Sequence, residues 1–211
     1  MKFRVFAIIA AFAVPALASA AQPSQDQPST PPSQPNQGAG KTTKLNDAEV
    51  KVIAHIHHVN QMEINLGKEG EKSGTARIKD YARMLVTDHQ NADKELQAFA
   101  KAHKLSTIPA EKPTTDAERQ EEKDTATALA HLKTLKGADF DKEFLNIAVT
   151  QHDKQLAWID TAMSSVTDPD LKSWMQTFKA TLQRHADQAR DLQKSPQAAA
   201  DQDKPAGHSS H

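Results

Sequence analysis

The clearest structural pattern in this 211-residue chain lies in residues 75–103, TARIKDYARMLVTDHQNADKELQAFAKAH. One set of side chains recurs at intervals that alternate between four and three residues, namely Ile78, Ala82, Leu85, His89, Ala92, Leu96 and Phe99. This period is typical of an amphipathic α-helix that covers a core with one face. We therefore predict a long helix that begins after a Thr75 cap and continues to about His103.

The helical period continues through most of residues 45–194, and no stretch there shows sustained two-residue alternation. The other predicted helices run from Asn46 or Asp47 to about Lys72, from a Thr115 cap to about Lys136, from near Asp139 to about Val166, and from Asp168-Pro169 to Ser195-Pro196. Gly137 is expected to end the third helix. The sequence thus predicts an all-α fold, an antiparallel four-helix bundle with a shorter helix in the middle connection.

Composition excludes several classes of function. The formal net charge is −1 at pH 7, so no general positive field attracts nucleic acid. One Tyr and two Trp are too few for a platform that stacks single-stranded bases. The sequence also shows no Gly-rich phosphate loop, no Gly-x-Ser-x-Gly turn and no Cys nucleophile.

The first twenty residues have the pattern of a secretion signal. Lys2 and Arg4 precede the apolar run Val5–Leu17, and Ala18-Ser-Ala20 is a small-x-small cleavage site. The apolar run is too short to span a bilayer, which takes about 20 residues. We expect cleavage near Ala20/Ala21 and a mature protein, without a transmembrane segment, in the periplasm or outside the cell.

The folded domain is expected between two segments of low complexity. Residues 21–44 are rich in Pro, Gln and Ser and predict a flexible tether, because they hold too little apolar surface to form a core. Residues 195–211 have a similar composition, end in His208-Ser-Ser-His211, and predict a disordered tail. The remaining 45–194 form the predicted bundle domain.

Each long helix carries one ionisable residue of metal-ligand type on its apolar stripe: Glu63, His89, His152 and His185. With turns near residues 74 and 168, the first pair lies 11 and 15 residues from its turn, and the second pair lies 16 and 17 residues from its own. At about 1.5 Å of rise per residue, the second pair is level and the first differs by about one helical turn. We therefore expect the four side chains to converge.

Three imidazoles and a carboxylate suit one divalent transition-metal ion, such as Zn, Fe(II), Mn, Ni or Cu. Asp88, at the edge of the stripe, is a candidate ligand or a partner that orients a ligand. The alternative is a metal-free buried network in which Glu63 pairs with His89 or His185 and specifies the fold.

The chain resembles the bacterial domain of unknown function 4142 family over about residues 47–194. The motifs that carry the resemblance are Glu63-Ile-Asn-Leu-Gly67, Met84-Leu-Val-Thr-Asp88-His89, Gly137-Ala-Asp-Phe140-Asp141 with Phe144, His152, and Leu182-Gln-Arg-His185. The resemblance implies an exported protein with a ferritin-like helical fold and no assigned activity. Asn65 stands where a second acidic residue is common in the family, and Phe144 where Tyr is common.

A di-iron centre of the ferritin type is not predicted. Such centres use Glu-x-x-His pairs, and the residues three before the histidines are Val86, Val149 and Leu182. The first hypothesis is a metal-binding bundle with an envelope or stress role. The second is a non-catalytic module that binds an envelope protein or another copy of itself, and an enzyme ranks last.

Overall fold

The computed structural model of the protein describes residues 44–195, and every regular element in this range is helical. The helices are α1 Asp47–Ser73, α2 Ala76–Ala102, α3 Asp116–Leu132, α4 Gly137–Ala162 and α5 Pro169–Lys194. A 3-10 turn, Met163–Ser165, follows α4. The prediction of an all-α fold is confirmed. The predicted leader, the tether up to Thr43 and the tail after Ser195 lie outside the described residues.

Side-chain caps start three of the helices at the predicted residues. Asn46 and Glu49 form a reciprocal capping box at α1, and Thr115 and Glu118 form another at α3. Asp168 accepts hydrogen bonds from the first turn of α5. These caps satisfy backbone N–H groups that have no partner inside the helix.

Thr75 holds the cap position of α2, but its side chain does not cap the helix. Its hydroxyl donates instead to Asp141 Oδ2 at 2.6 Å, and its backbone N–H donates to Asp141 Oδ1 at 3.1 Å. The carboxylate of α4 therefore fixes the turn between α1 and α2.

The predicted ends of α3 and α4 are wrong. Helix α3 ends at Leu132, because the chain then turns through i to i+3 hydrogen bonds up to Leu135. Gly137 does not end α3 but begins α4, with a left-handed φ of +58° that suits glycine. At its other end α4 stops at Ala162, and the 3-10 turn takes the place of the last predicted turn of α-helix.

Helix α1 packs along α2 and α4 packs along α5, while contacts of α1 with α4 and of α2 with α5 join the two pairs. Helix α3 contacts α4. The predicted core residues Leu85, Ile159 and Phe178 are all buried. Within the described residues, no helix has the length and apolar character needed to cross a membrane.

The apolar interior consists of two clusters. One contains Ile53, Ile56, Leu96, Ile159, Leu171, Met175, Phe178 and Leu182 among others. The second contains Leu66, Ile78, Leu85, Phe140, Phe144, Ala148 and Ala189 among others. On each long helix the two clusters occupy different halves, so a short layer of the interior lies between them.

Candidate metal centre

Buried polar side chains occupy the layer between the two apolar clusters. Helix α1 contributes Asn60 and Glu63, α2 contributes His89, α4 contributes His152 and α5 contributes His185. The three imidazole rings have no solvent exposure. Apolar packing on both sides thus excludes bulk water from a group of ionisable residues, where each polar atom needs a partner or an ion.

His152 and His185 face each other through ring nitrogens. His152 Nδ1 lies 2.8 Å from the carbonyl oxygen of Ala148, and His185 Nε2 lies 2.9 Å from Asp88 Oδ2. A carbonyl and a carboxylate only accept hydrogen bonds, so both of these ring nitrogens carry the proton. In the neutral rings the two other nitrogens, His152 Nε2 and His185 Nδ1, therefore present lone pairs, and they are 3.2 Å apart.

His89 completes the group from α2. Its Nδ1 lies 2.9 Å from Asn60 Oδ1 and donates to it, which leaves a lone pair on Nε2. That Nε2 is buried and has no hydrogen-bond partner. Of the buried side-chain atoms without a partner in the described residues, three belong to this layer: Asn60 Nδ2, Glu63 Oε2 and His89 Nε2.

The spacing of the three histidines fits a metal ion. One ring nitrogen from each of them lies within 4.8 Å of the others. Two nitrogens that bind one ion at 2.0–2.1 Å are roughly 3.3–3.5 Å apart, close to the His152–His185 separation. The second nitrogen of each ring also donates a hydrogen bond to an acceptor, which is the usual way in which ligand histidines are oriented.

The protein environment keeps His89 and His185 in the neutral form that metal binding requires. Burial lowers the pKa of His89 well below its usual value, and the charges of His152 and His185 add to this effect. Burial lowers the pKa of His185 to about 4, although the hydrogen bond to Asp88 opposes the shift. Neutral rings at pH 7 are competent ligands.

Glu63 lies behind His152 rather than among the three facing nitrogens. Its Oε1 is 3.7 Å from His152 Nδ1, the nitrogen that donates to Ala148. Burial raises the pKa of Glu63, and the nearby His152 opposes this shift. For a metal-free network the sequence predicted that Glu63 pairs with His89 or His185, and the structure corrects this partner to His152.

Asp88 contacts His185 and not the adjacent His89. Its Oδ2 accepts from His185 Nε2 and, at 2.7 Å, from Arg184. Burial alone would raise the pKa of Asp88, but the hydrogen bonds from His185 and Arg184 lower it overall. The ionised carboxylate therefore orients the His185 ring.

Two further contacts were not predicted from the sequence. Asn60 lies three residues before Glu63 on the buried face of α1, and this spacing is the signal that could have identified it as a polar residue of the stripe. Tyr81 donates its hydroxyl proton to the backbone oxygen of His185 at 3.0 Å, a contact that no local pattern indicates. Burial, and then the charge of Glu63, raise the pKa of Tyr81, so this hydroxyl stays a donor.

Comparisons with known proteins bear on the family and the fold. The family model described as Domain of unknown function (DUF4142) matches residues 34–192. A solved structure described as CopM in the Cu(I)-bound form has a similar fold, with a TM-score of 0.55 and 16% sequence identity over 68% of this chain and 94% of that chain. Among curated proteins, none matches this chain. Because the family model spans well over half of the sequence, the chain belongs to the DUF4142 family.

Proposed function

We propose that the protein binds one transition-metal ion through His89, His152 and His185, and that it serves metal handling or a stress response in the cell envelope. One observation carries this proposal: His152 Nε2 and His185 Nδ1 are 3.2 Å apart, and the other nitrogen of each ring faces a hydrogen-bond acceptor, so that in the neutral rings the two facing nitrogens carry lone pairs. Two lone pairs at this distance repel each other, and a cation between them removes the repulsion.

Copper(I) is the ion that we propose first among Zn, Fe, Mn, Ni and Cu. Imidazole suits Zn, Cu, Fe and Ni alike, so the ligand type alone does not choose among them. Three neutral imidazoles leave the charge of the ion uncompensated, and Glu63 is the buried carboxylate beside them. Because Asp88 is already paired with Arg184, one negative charge remains to balance a monovalent ion, whereas the sequence had favoured a divalent one. The Cu(I)-bound protein of similar fold agrees with this choice.

We propose binding rather than catalysis. All three rings are fully buried, so a bound ion has no open position that a substrate could reach without movement of the helices. Export to the periplasm, a ferritin-like four-helix bundle, a flexible tether at residues 21–44 and a disordered tail after residue 194 belong to the same proposal. They rest on the signal pattern, the helix order and the composition of the two ends.

Metal analysis of the mature protein tests the proposal. The protein is purified without a histidine tag, with His208→Ala and His211→Ala to remove the histidines of the tail. One equivalent of Cu(I) per chain is expected to stay bound after desalting. His152→Ala and His89→Gln should each retain less than a tenth of an equivalent, while the exposed His131→Ala should bind as the parent does.

Circular dichroism must show that the variants are folded. Substoichiometric copper in the parent protein, or equal copper in the folded His152 and His131 variants, would overturn the proposal.

A second candidate function is a metal-free structural module that binds an envelope protein or a second copy of itself. The contact of Glu63 with His152 favours it, because a proton on His152 would balance the buried carboxylate. Thermal melts at pH 8 with and without a chelator separate the two functions. A chelator that lowers the melting temperature supports the metal site. A melting temperature that does not change with the chelator but falls strongly in Glu63→Gln supports the structural module.

A further inference from the structure

A cleft between α2 and α5 lies beside the buried histidines. Its volume is about 190 Å³, and its walls include Asp88, Ala92, Glu95, Phe178, Thr181 and Arg184. Asp88 and Arg184 are partly exposed. The cleft therefore opens at the protein surface.

Two residues of the cleft wall contact the histidine group. Asp88 accepts the hydrogen bond of His185, and the ring of Phe178 stands edge to face with His89, with centroids 6.0 Å apart and planes at 87°. A single layer of side chains therefore separates the cleft from two of the three rings.

The charges along the cleft suit the passage of a cation. Asp88 and Glu95 are acidic, while Arg184 is its basic residue and forms an ion pair with Asp88 at 2.7 Å. Partly exposed ion pairs of this kind contribute little free energy, so the pair opens at small cost. Acidic groups in a cleft concentrate cations there, and the guanidinium opposes this effect.

A larger cavity of the protein is a poorer route. It has a volume of about 640 Å³ and lies between α1, α3, α4 and the connection before α3. Its lining includes none of the residues that hydrogen-bond to the three rings or stack on them, such as Asn60, Asp88, Ala148 and Phe178. A cation in this cavity would have to cross the packed face of α1 or α4.

We infer that the metal ion reaches and leaves the three histidines through the cleft between α2 and α5. Asp88 and Glu95 attract the cation, and Arg184, paired with Asp88, restrains its passage. This inference rests on the proposed function, because it requires that the histidines bind a metal. The cleft residues then control the rate of metal exchange, whereas the three histidines determine the affinity for the metal.

Stopped-flow uptake of Cu(I), supplied anaerobically as its acetonitrile complex and followed by tryptophan fluorescence, tests the charges. Arg184→Gln should accelerate uptake about two- to fivefold at low ionic strength, and Glu95→Gln should slow it by a similar factor. Arg190→Gln is the matched control, because Arg190 is on the same helix but pairs with Asp153 of α4. Equal effects of the two arginine variants would overturn the inference.

Variants that fill each cavity test the route itself. Thr181→Phe narrows the cleft and should slow both uptake and release at least tenfold, with one equivalent still bound at equilibrium. Thr125→Phe, in the lining of the larger cavity, should leave both rates unchanged. The reverse result would assign the route to the larger cavity. If the parent protein binds no metal at equilibrium, the proposed function itself fails, and this inference with it.

Discussion

His152 Nε2 and His185 Nδ1 lie 3.2 Å apart on adjacent helices. The other nitrogen of each ring donates a hydrogen bond to a group that can only accept, the Ala148 carbonyl for His152 and the Asp88 carboxylate for His185. The turn between α4 and α5 sets this relationship, because the two histidines lie at nearly equal distances along the chain from Asp168. Burial and the two acceptors together hold these nitrogens face to face inside an apolar interior, and this arrangement is the basis of the metal site that we propose.

Without metal, the protein should become more stable as the pH rises from about 4 to about 6.5. The folded pKa of His185 is about 4, whereas an unfolded histidine titrates near 6.5, so the unfolded state binds the extra proton in this range. For this residue the gain is on the order of 2 to 3 kcal/mol. It is complete above about pH 6.5 and lost progressively as the pH falls from there to the folded pKa of about 4.

Urea denaturation in the presence of a chelator at pH 4.5 and 7.5 measures this gain. The difference in unfolding free energy between the two pH values should shrink in His185→Gln and stay unchanged in the exposed control His131→Gln. A parent protein that gains no more than His185→Gln would show that the ring does not have to stay neutral.

Glu49→Gln should destabilise the protein by about 2 kcal/mol. Glu49 Oε1 accepts from the backbone N–H groups of Thr167 and Asp168 and from the Thr167 hydroxyl, at 2.8–2.9 Å, and Oε2 accepts from the Asn46 N–H. This carboxylate therefore joins the start of α1 to the start of α5. Chemical denaturation of Glu49→Gln, with Glu71→Gln on the same helix as control, measures the loss.

The stabilisation by Glu49 should also depend on pH. Here the cause is the set of hydrogen bonds to the ionised carboxylate, whereas for His185 it is burial. Burial alone would raise the pKa of Glu49, but its hydrogen bonds lower the value below 4.5 in the folded state. Its stabilisation is therefore present above about pH 4.5 and lost as the pH falls through the lower folded pKa. The gap in stability between the parent protein and Glu49→Gln should narrow as the pH falls below about 4.5, and a constant gap between them would contradict this assignment.

Gly70→Ala should destabilise the protein although alanine favours helices. A Cβ at this position would lie 2.6 Å from Phe144 Cε2 and 2.8 Å from the Cβ of Ala82. The helix-propensity gain of about 1 kcal/mol is expected to be smaller than the cost of overpacking, which leaves a net loss of about 1 to 2 kcal/mol. A double-mutant cycle with Phe144→Leu should recover part of this loss, and strict additivity would show that the two residues do not clash.

The sequence predicts the helices and their facing residues because both depend on local spacing. Caps at Asn46 and Asp168 and the unbroken stripe of α2 fix helix starts and buried faces. The prediction for Gly137 is wrong, because the same left-handed glycine fits a helix end and the turn that leads into the next helix. Only the backbone hydrogen bonds around Leu132, which end α3 before Gly137, distinguish these two roles of the glycine.

The site is predicted less completely than the fold. Helical spacing places Glu63 in the same layer as the histidines, but spacing does not say which nitrogen of a ring a carboxylate approaches. That choice follows from the Ala148 carbonyl, which takes the His152 Nδ1 proton and turns the other nitrogen toward His185. Likewise Asp88 is adjacent to His89 in sequence but reaches across to α5, because successive helix residues point about 100° apart.

X-ray absorption spectroscopy at the copper edge reports directly on the ligands that we propose for the metal ion. The sample is the tag-free protein with His208→Ala and His211→Ala, loaded with one equivalent of Cu(I). We expect three nitrogen ligands at about 2.0 Å, with the outer scattering of imidazole rings, and the loss of this signal in His152→Ala. A shell that contains methionine sulfur, or an imidazole signal that is unchanged in His152→Ala, would contradict it.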